Sequence, residues 1–130
     1  MAKRVFLSFV EEDLDLVNLF RGQAKKKNSD LEFSDYSVKE PYDSTNAAYI
    51  RGKIRERIRA ASVTICLIGE TTYKSKWVDW EIRTSAEEGN KVFGVRLHSS
   101  ATKDTTPKAL TDLKTSVYNW DIDAITRAIG

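Results

Sequence analysis

The sequence predicts an α/β protein of the flavodoxin-like type. Its five-stranded parallel sheet, in the order 2-1-3-4-5, is sandwiched between helices, and residues 1–130 form one domain. Three observations lead there. Short apolar runs alternate with amphipathic stretches of helical length, the pattern of a parallel sheet covered on both faces. The run SVTICLIG (62–69) is apolar on both strand faces, as a central parallel strand must be. A composition 41% hydrophobic and 31% charged, spread over 130 residues, suits a single well-covered core.

The elements follow in order. VFLSF (5–9) reads as a buried first strand. The segment EEDLDLVNLFRGQAKKK then places Leu16, Phe20 and Ala24 at i, i+4 and i+8, with acids in the first turn and lysines in the last. Both charge biases suit a helix dipole. LEFSDY (31–36) is the second strand, and the loop SVKEPYDST follows it. A helix begins near Asn46, with Ala47, Ile50, Ile54, Ile58 and Ala61 on one stripe. The arginines and lysine of RGKIRERIR fall on its solvated side.

SVTICLIG forms the third strand. Ser75 caps a helix that runs to Glu88 and is ended by Gly89-Asn90. KVFGVRL (91–97) and SVYNW (116–120) are the fourth and fifth strands. Asp121 caps the last helix, and Trp120 is placed to pack on Ile125 as a hydrophobic staple.

Several function classes are poorly supplied. Twenty-one basic and 19 acidic residues leave a net charge of +2, too small to imply nucleic acid or an acidic membrane as partner. No apolar run approaches the roughly 18 residues needed to span a bilayer. The opening MAKRVFLSF enters a strand pattern without the apolar stretch of a secretory signal. The lone Cys66 permits no internal disulfide, so a cytoplasmic setting is expected, with the thiol buried and inert. One cysteine and one histidine do not make a zinc site of the usual kind, and no metal or bound cofactor is expected. His98 sits in the polar loop HSSATKDTTP, where a solvated role is expected.

In open parallel sheets, ligands bind beyond the carboxyl ends of the strands, where the winding reverses. Here those loops are Phe9 to Asp13, Asp35 to Asn46 and Gly69 to Lys76, which makes Asp35 a candidate ligand contact. The helix after the third strand opens at this edge with SKWVDWEI (75–82), carrying two of the chain's three tryptophans. Trp77 and Glu81 stand at i and i+4 and share a face, whereas Trp80 is turned about 100° away from Glu81. Val78 and Ile82 are placed to face the sheet. Spacing alone leaves two readings open for Trp77 and Glu81: a ligand-binding pair, or a half-buried tryptophan beside a solvated acid.

The segments RVFLSF, SVTICLIGETTYKSKWVDWEI and NKVFGVRL resemble Toll/interleukin-1 receptor (TIR) domains, and more closely the bacterial TIR-like proteins of the Thoeris ThsB type. The resemblance covers roughly residues 3 to 98. Its most specific feature is a tryptophan four residues before a glutamate, in the helix after the third strand. It implies an enzyme that cleaves NAD+ as substrate, yielding nicotinamide and ADP-ribose or a cyclic ADP-ribose isomer, in antiphage signalling. By position, Glu81 becomes the catalytic acid and Trp77 the stacking aromatic. Ser8 and Phe9 match the small-plus-aromatic end of the family's first strand, and Asp13 an acidic position after it. Self-association and a downstream effector that reads the cyclic product are implied as partners.

The chain departs from the family by having Val10-Glu11-Glu12 where several members carry basic residues. That leaves Lys39, Lys74 and Lys76 as candidates for the pyrophosphate. The chemistry suits a single acid. Nicotinamide in NAD+ is already a cationic leaving group, and a carboxylate beside the ribose stabilises the oxocarbenium-like state. The alternative function is a non-catalytic TIR-like interaction module. A phosphate-accepting receiver domain shares the fold, but it needs an aspartate closing the third strand and a lysine closing the fifth. Those places hold Ile68-Gly69-Glu70 and Tyr118-Asn119-Trp120. A nucleoside N-ribosyltransferase, which also uses a glutamate on such a sheet, is separable by product analysis.

Overall fold

The computed structural model describes residues 3–36, 40–98 and 105–130. Five parallel strands form one sheet: β1 (Lys3–Ser8), β2 (Leu31–Ser34), β3 (Val63–Ile68), β4 (Lys91–Arg96) and β5 (Val117–Tyr118). Their order is β2-β1-β3-β4-β5, as the sequence predicts. The helices are α1 (Leu14–Lys27), α2 (Ala47–Arg59), α3 (Lys76–Glu87), α4 (Lys108–Asp112) and α5 (Ile122–Ile129). Short 3₁₀ turns at Glu11–Asp13 and Thr72–Lys74 lead into α1 and α3.

Alternation along the strands sorts the core into two layers. Val5, Leu7, Val63, Ile65, Leu67, Phe93 and Val95 pack with Val17, Phe20 and Ala24 of α1 and Ile125 and Ile129 of α5. On the opposite face, Phe6 meets Ile50, Ile54 and Ile58 of α2. Cys66 and Ile68 meet Val78 and Ile82 of α3 and Ala109 and Leu110 of α4. All six side chains of β3 are buried, which is why its sequence is apolar but for Thr64.

The predicted caps hold. Ser75 Oγ accepts from the Val78 amide at 3.1 Å, and Asp121 Oδ1 from the Ala124 amide at 3.2 Å. Gly89, with φ of 86°, takes the left-handed turn that ends α3. Trp120 packs against the core cluster that contains Ile125, stands edge-on to Phe20 at 6.1 Å, and donates its indole N–H to Gln23. The basic side of α2 is solvated and partly neutralised, with Arg59 bridging Glu88 at 2.9 Å and Arg55 lying near the same carboxylate.

Three departures have local causes. Val17, not Leu16, is the fully buried residue in the first turn of α1, with Leu16 packed at its margin. β5 is two residues long, not five, because it pairs only with Gly94 and Val95. α4 has no counterpart in the predicted element order; it holds a single apolar pair, Ala109 and Leu110, after Pro107. Among the described residues, no helix is long and apolar enough to cross a membrane.

Candidate functional site

The winding reverses between β1 and β3, which are neighbours in register, Ser8 standing opposite Cys66. Ser8 ends β1 and faces α3. That helix is anchored by its Ser75 cap and presents Val78, Glu81, Ile82, Thr84 and Ser85 to the interior. Three of these five side chains are polar, and two polar pairs cross the sheet–helix seam. Thr64 Oγ1 donates to Ser85 Oγ at 2.8 Å, and Ser8 Oγ donates to Glu81 Oε1 at 2.7 Å. A buried polar group without a partner costs more than a satisfied one contributes, so these pairings fix the register of α3 on the sheet.

Glu81 is 4% exposed and Ser8 1%. That rejects the solvated-acid alternative. Burial pushes the Glu81 carboxyl up to about 8, and the Ser8 hydrogen bond opposes the rise. The adjacent Cys66 thiol is fully buried, and both desolvation and the Glu81 charge raise its pKa. Its burial is as expected.

Glu81 borders a cavity of about 230 Å³ together with Phe9, Val10, Glu11, Glu12, Tyr36, Ser75 and Trp77. Three aromatic rings and three carboxyl groups thus meet at the carboxyl edge, and no basic side chain among the described residues lines the space. Such a lining suits a flat cationic group, which aromatic faces and carboxylates both attract. Trp77 is held in place from three sides. Its Nε1–H donates to the Glu40 carbonyl at 2.9 Å, the Tyr42 ring meets it edge-on at 5.0 Å, and Trp80 does so at 6.3 Å. Both tryptophans pack against the cluster of Phe6 and α2, but only Trp77 also borders the cavity, as the turn of Trp80 away from Glu81 predicts.

The structure therefore brings Phe9, Trp77 and Glu81 to one cavity, with Ser8 behind the wall and hydrogen-bonded to Glu81. Asp35 lies elsewhere. Its carboxylate pairs with Arg21, and its carbonyl accepts from Arg57, leaving Tyr36 as the β2-side residue that borders the cavity. Arg57 also lies over the Tyr36 ring, 5.1 Å from its centroid. Asp13 is placed against the Gly69 backbone rather than in the cavity. Its Oδ2 is buried without a hydrogen-bond partner among the described residues, and burial raises its pKa against the opposing charge of His98. Lys74 and Lys76 border a neighbouring groove, and Lys39 falls outside the described residues. Tyr36, Glu11 and Glu12 carry no motif that singles them out in sequence, although all three lie in or beside the loops that the carboxyl-edge rule names.

The family model described as "Thoeris protein ThsB, TIR-like domain" matches residues 6–102. A Bacillus cereus (strain MSX-D12) protein named "Putative cyclic ADP-D-ribose synthase ThsB1" is 38% identical over 108 residues. The match takes in 80% of this chain and 55% of that protein, so the chain spans about half the length of its relative.

Among solved structures, the TIR domains of the activated Roq1 resistosome directly recognizing the pathogen effector XopQ share the fold. The TM-score is 0.55 at 15% identity, over 87% of this chain and 69% of that one. A 3-dehydroquinate dehydratase-like protein from Bifidobacterium longum has a TM-score of 0.56 at 13% identity, over 99% and 93% of the two chains. At these identities both speak for the fold alone. The family model covers most of the chain and the strand order accords with it: the chain belongs to the ThsB family of TIR-like domains.

Proposed function

We propose that this protein cleaves NAD+ at the bond between nicotinamide and ribose, giving nicotinamide and ADP-ribose or a cyclic isomer of it, in bacterial antiphage signalling. The observation that carries the reading is the buried Glu81 carboxyl at the edge of an aromatic-walled, acid-lined cavity. Family membership and the name of the Bacillus cereus relative support it.

In this reading the cationic nicotinamide ring enters between Trp77, Phe9 and Tyr36. The C1′–N bond breaks, and its electron pair leaves on nicotinamide, which departs neutral. Positive charge develops on the ribose, where ionised Glu81 stabilises it. Water then adds to C1′ and loses a proton, giving ADP-ribose. In the cyclising variant, a nucleophilic atom on the adenosine side of the same molecule adds instead.

The raised pKa of Glu81 fits this cycle. The free protein holds the acid largely neutral at pH 7, and an arriving cation favours its ionisation. The test is release of free nicotinamide from NAD+ by purified protein, beside Glu81→Gln. Absence of turnover at high protein concentration sinks the reading, and turnover indifferent to Glu81→Gln sinks the role of the acid.

A further inference from the structure

We propose that the groove lined by Tyr42, Tyr73, Lys74, Ser75, Lys76 and Asp79 binds the diphosphate and base of the dinucleotide whose nicotinamide end occupies the Glu81 cavity. The inference rests on the function proposed above and assigns a second subsite to it.

Size and charge both require such a place. At about 230 Å³, the Glu81 cavity falls below the roughly 300–1,000 Å³ of pockets that enclose a drug-sized ligand. A dinucleotide is at least that large, so its second half lies outside. The cavity rim is also wrong for phosphate, because Glu11, Glu12 and Glu81 border it and no basic side chain among the described residues does. A diphosphate leaving this cavity moves toward positive charge.

The groove lies next along the surface. It measures about 280 Å³, shares Ser75 with the cavity, and includes Tyr42, whose ring meets Trp77 edge-on at 5.0 Å. Lys74 and Lys76 flank Ser75 in sequence, and both are exposed. Neither forms an ion pair among the described residues; Lys74 Nζ lies 5.6 Å from the Tyr73 ring centroid. The one acid in the groove, Asp79, accepts from Arg83 at 2.9 and 3.2 Å, so its charge is offset. Tyr73 is 43% exposed and offers a face on which a purine can stack.

Of the competing cations, Arg51 lies over the Tyr42 ring, 5.3 Å from its centroid, but lines neither space, and Arg21 and Arg57 lie on the β2 side. Both are bound to Asp35, and neither borders the cavity or the groove. The two lysines are thus the better placed.

The test is calorimetric titration with ADP-ribose, which requires no turnover. Wild-type protein and Glu81→Gln should bind it. Lys74→Glu/Lys76→Glu should weaken binding about tenfold or more, the scale expected when two charge-assisted hydrogen bonds to phosphate are removed. If wild-type protein cleaves NAD+, the same double variant should raise KM by a similar factor with much less effect on kcat. For nicotinamide riboside, which has no diphosphate, KM should not move.

Failure of wild-type protein to bind ADP-ribose at millimolar concentration overturns the subsite, as does unchanged binding in the double variant. Weakening by Arg57→Gln in place of the lysine variant puts the phosphates on the β2 side and also overturns it. Absence of nicotinamide release alone overturns the catalytic reading and leaves the ADP-ribose result to decide the subsite.

Discussion

Ser8 Oγ donates to Glu81 Oε1 across 2.7 Å, joining the end of the first strand to a helix 73 residues later in the chain. Both groups are almost wholly buried, so this one bond sets the orientation of the acid and opposes the rise in its pKa. Ser8→Ala removes the donor while leaving the carboxyl buried. If ionised Glu81 is the active form, the acid limb of the kcat/KM profile should move to higher pH by about one unit, the scale of a hydrogen bond to a charged group. Nicotinamide release followed from pH 5 to 10 measures it. A lower rate with an unmoved profile leaves Ser8 with a merely structural role.

The same burial makes Glu81 a stability liability at alkaline pH. Its folded pKa, about 8, lies above the ordinary 4.5, so the folded state holds the proton more tightly than the unfolded chain. The sign follows from linkage. Stability from this group is full below about 4.5 and declines as pH rises toward 8, with a limiting slope of about 1.4 kcal/mol per pH unit. Glu81→Gln carries no such cost, so its stability relative to wild type should increase between pH 5 and pH 9. Urea unfolding of the two proteins at both values provides the comparison. A difference constant with pH would show that Glu81 is not held neutral.

Much of this was legible in sequence where a local rule and the tertiary structure agree. β3 is apolar but for Thr64 because both its faces are covered, and Ser75, Gly89 and Asp121 punctuate helices by backbone chemistry that spacing alone reveals. The i, i+4 relation put Trp77 and Glu81 on a shared face. It did not show that Glu81 is buried, because its hydroxyl partner arrives from a strand far away in sequence. Asp35 illustrates the same limit. Its position at the ligand edge was readable, but its pairing with Arg21 of α1 depends on how that helix packs. α4 was missed because five residues with one apolar pair give no periodicity to read.

Gly69 is a test of close approach rather than of backbone freedom. A Cβ there would lie 2.6 Å from Asp13 Cγ, while the Gly69 amide is held by Thr72 Oγ1 at 2.8 Å. The loop after β3 therefore cannot retreat without losing that bond. Gly69→Ala should destabilise by about 1–3 kcal/mol, the usual cost of overpacking. Removing the obstructing carboxylate with Asp13→Ala should recover part of the loss, so the double variant should be more stable than the sum of the single effects predicts. Denaturant midpoints for the four proteins of the cycle decide it, and strict additivity would rule out the contact.

Trp77 combines a polar bond with aromatic packing, and two substitutions separate them. Trp77→Phe keeps a ring against Tyr42 and Trp80 but loses the N–H that reaches the Glu40 carbonyl. About 1 kcal/mol is expected for that bond. Trp77→Ala also removes the half-buried ring, and a larger loss of about 2–3 kcal/mol is expected. Urea unfolding should rank wild type above Trp77→Phe above Trp77→Ala. Equal losses for the two variants would make the hydrogen bond the dominant tie between the loop after β2 and α3.

Cys66 supplies an independent probe of the same layer. Its thiol lies in the core beneath α3, opposite Ser8 in the β1–β3 register, and burial holds it protonated, with the Glu81 charge adding to this once that acid ionises. A thiol-reactive disulfide dye should therefore label the native protein only slowly and titrate one thiol per chain promptly in denaturant. Slow labelling under native conditions then reports the opening of α3 from the sheet. Ser8→Ala should accelerate it, because one of the two buried polar pairs across that seam is removed, whereas substitution of a solvated α2 residue such as Lys53 should not. Prompt labelling of the native wild type would contradict the packing of α3 over β3 and, with it, the enclosed setting of Glu81.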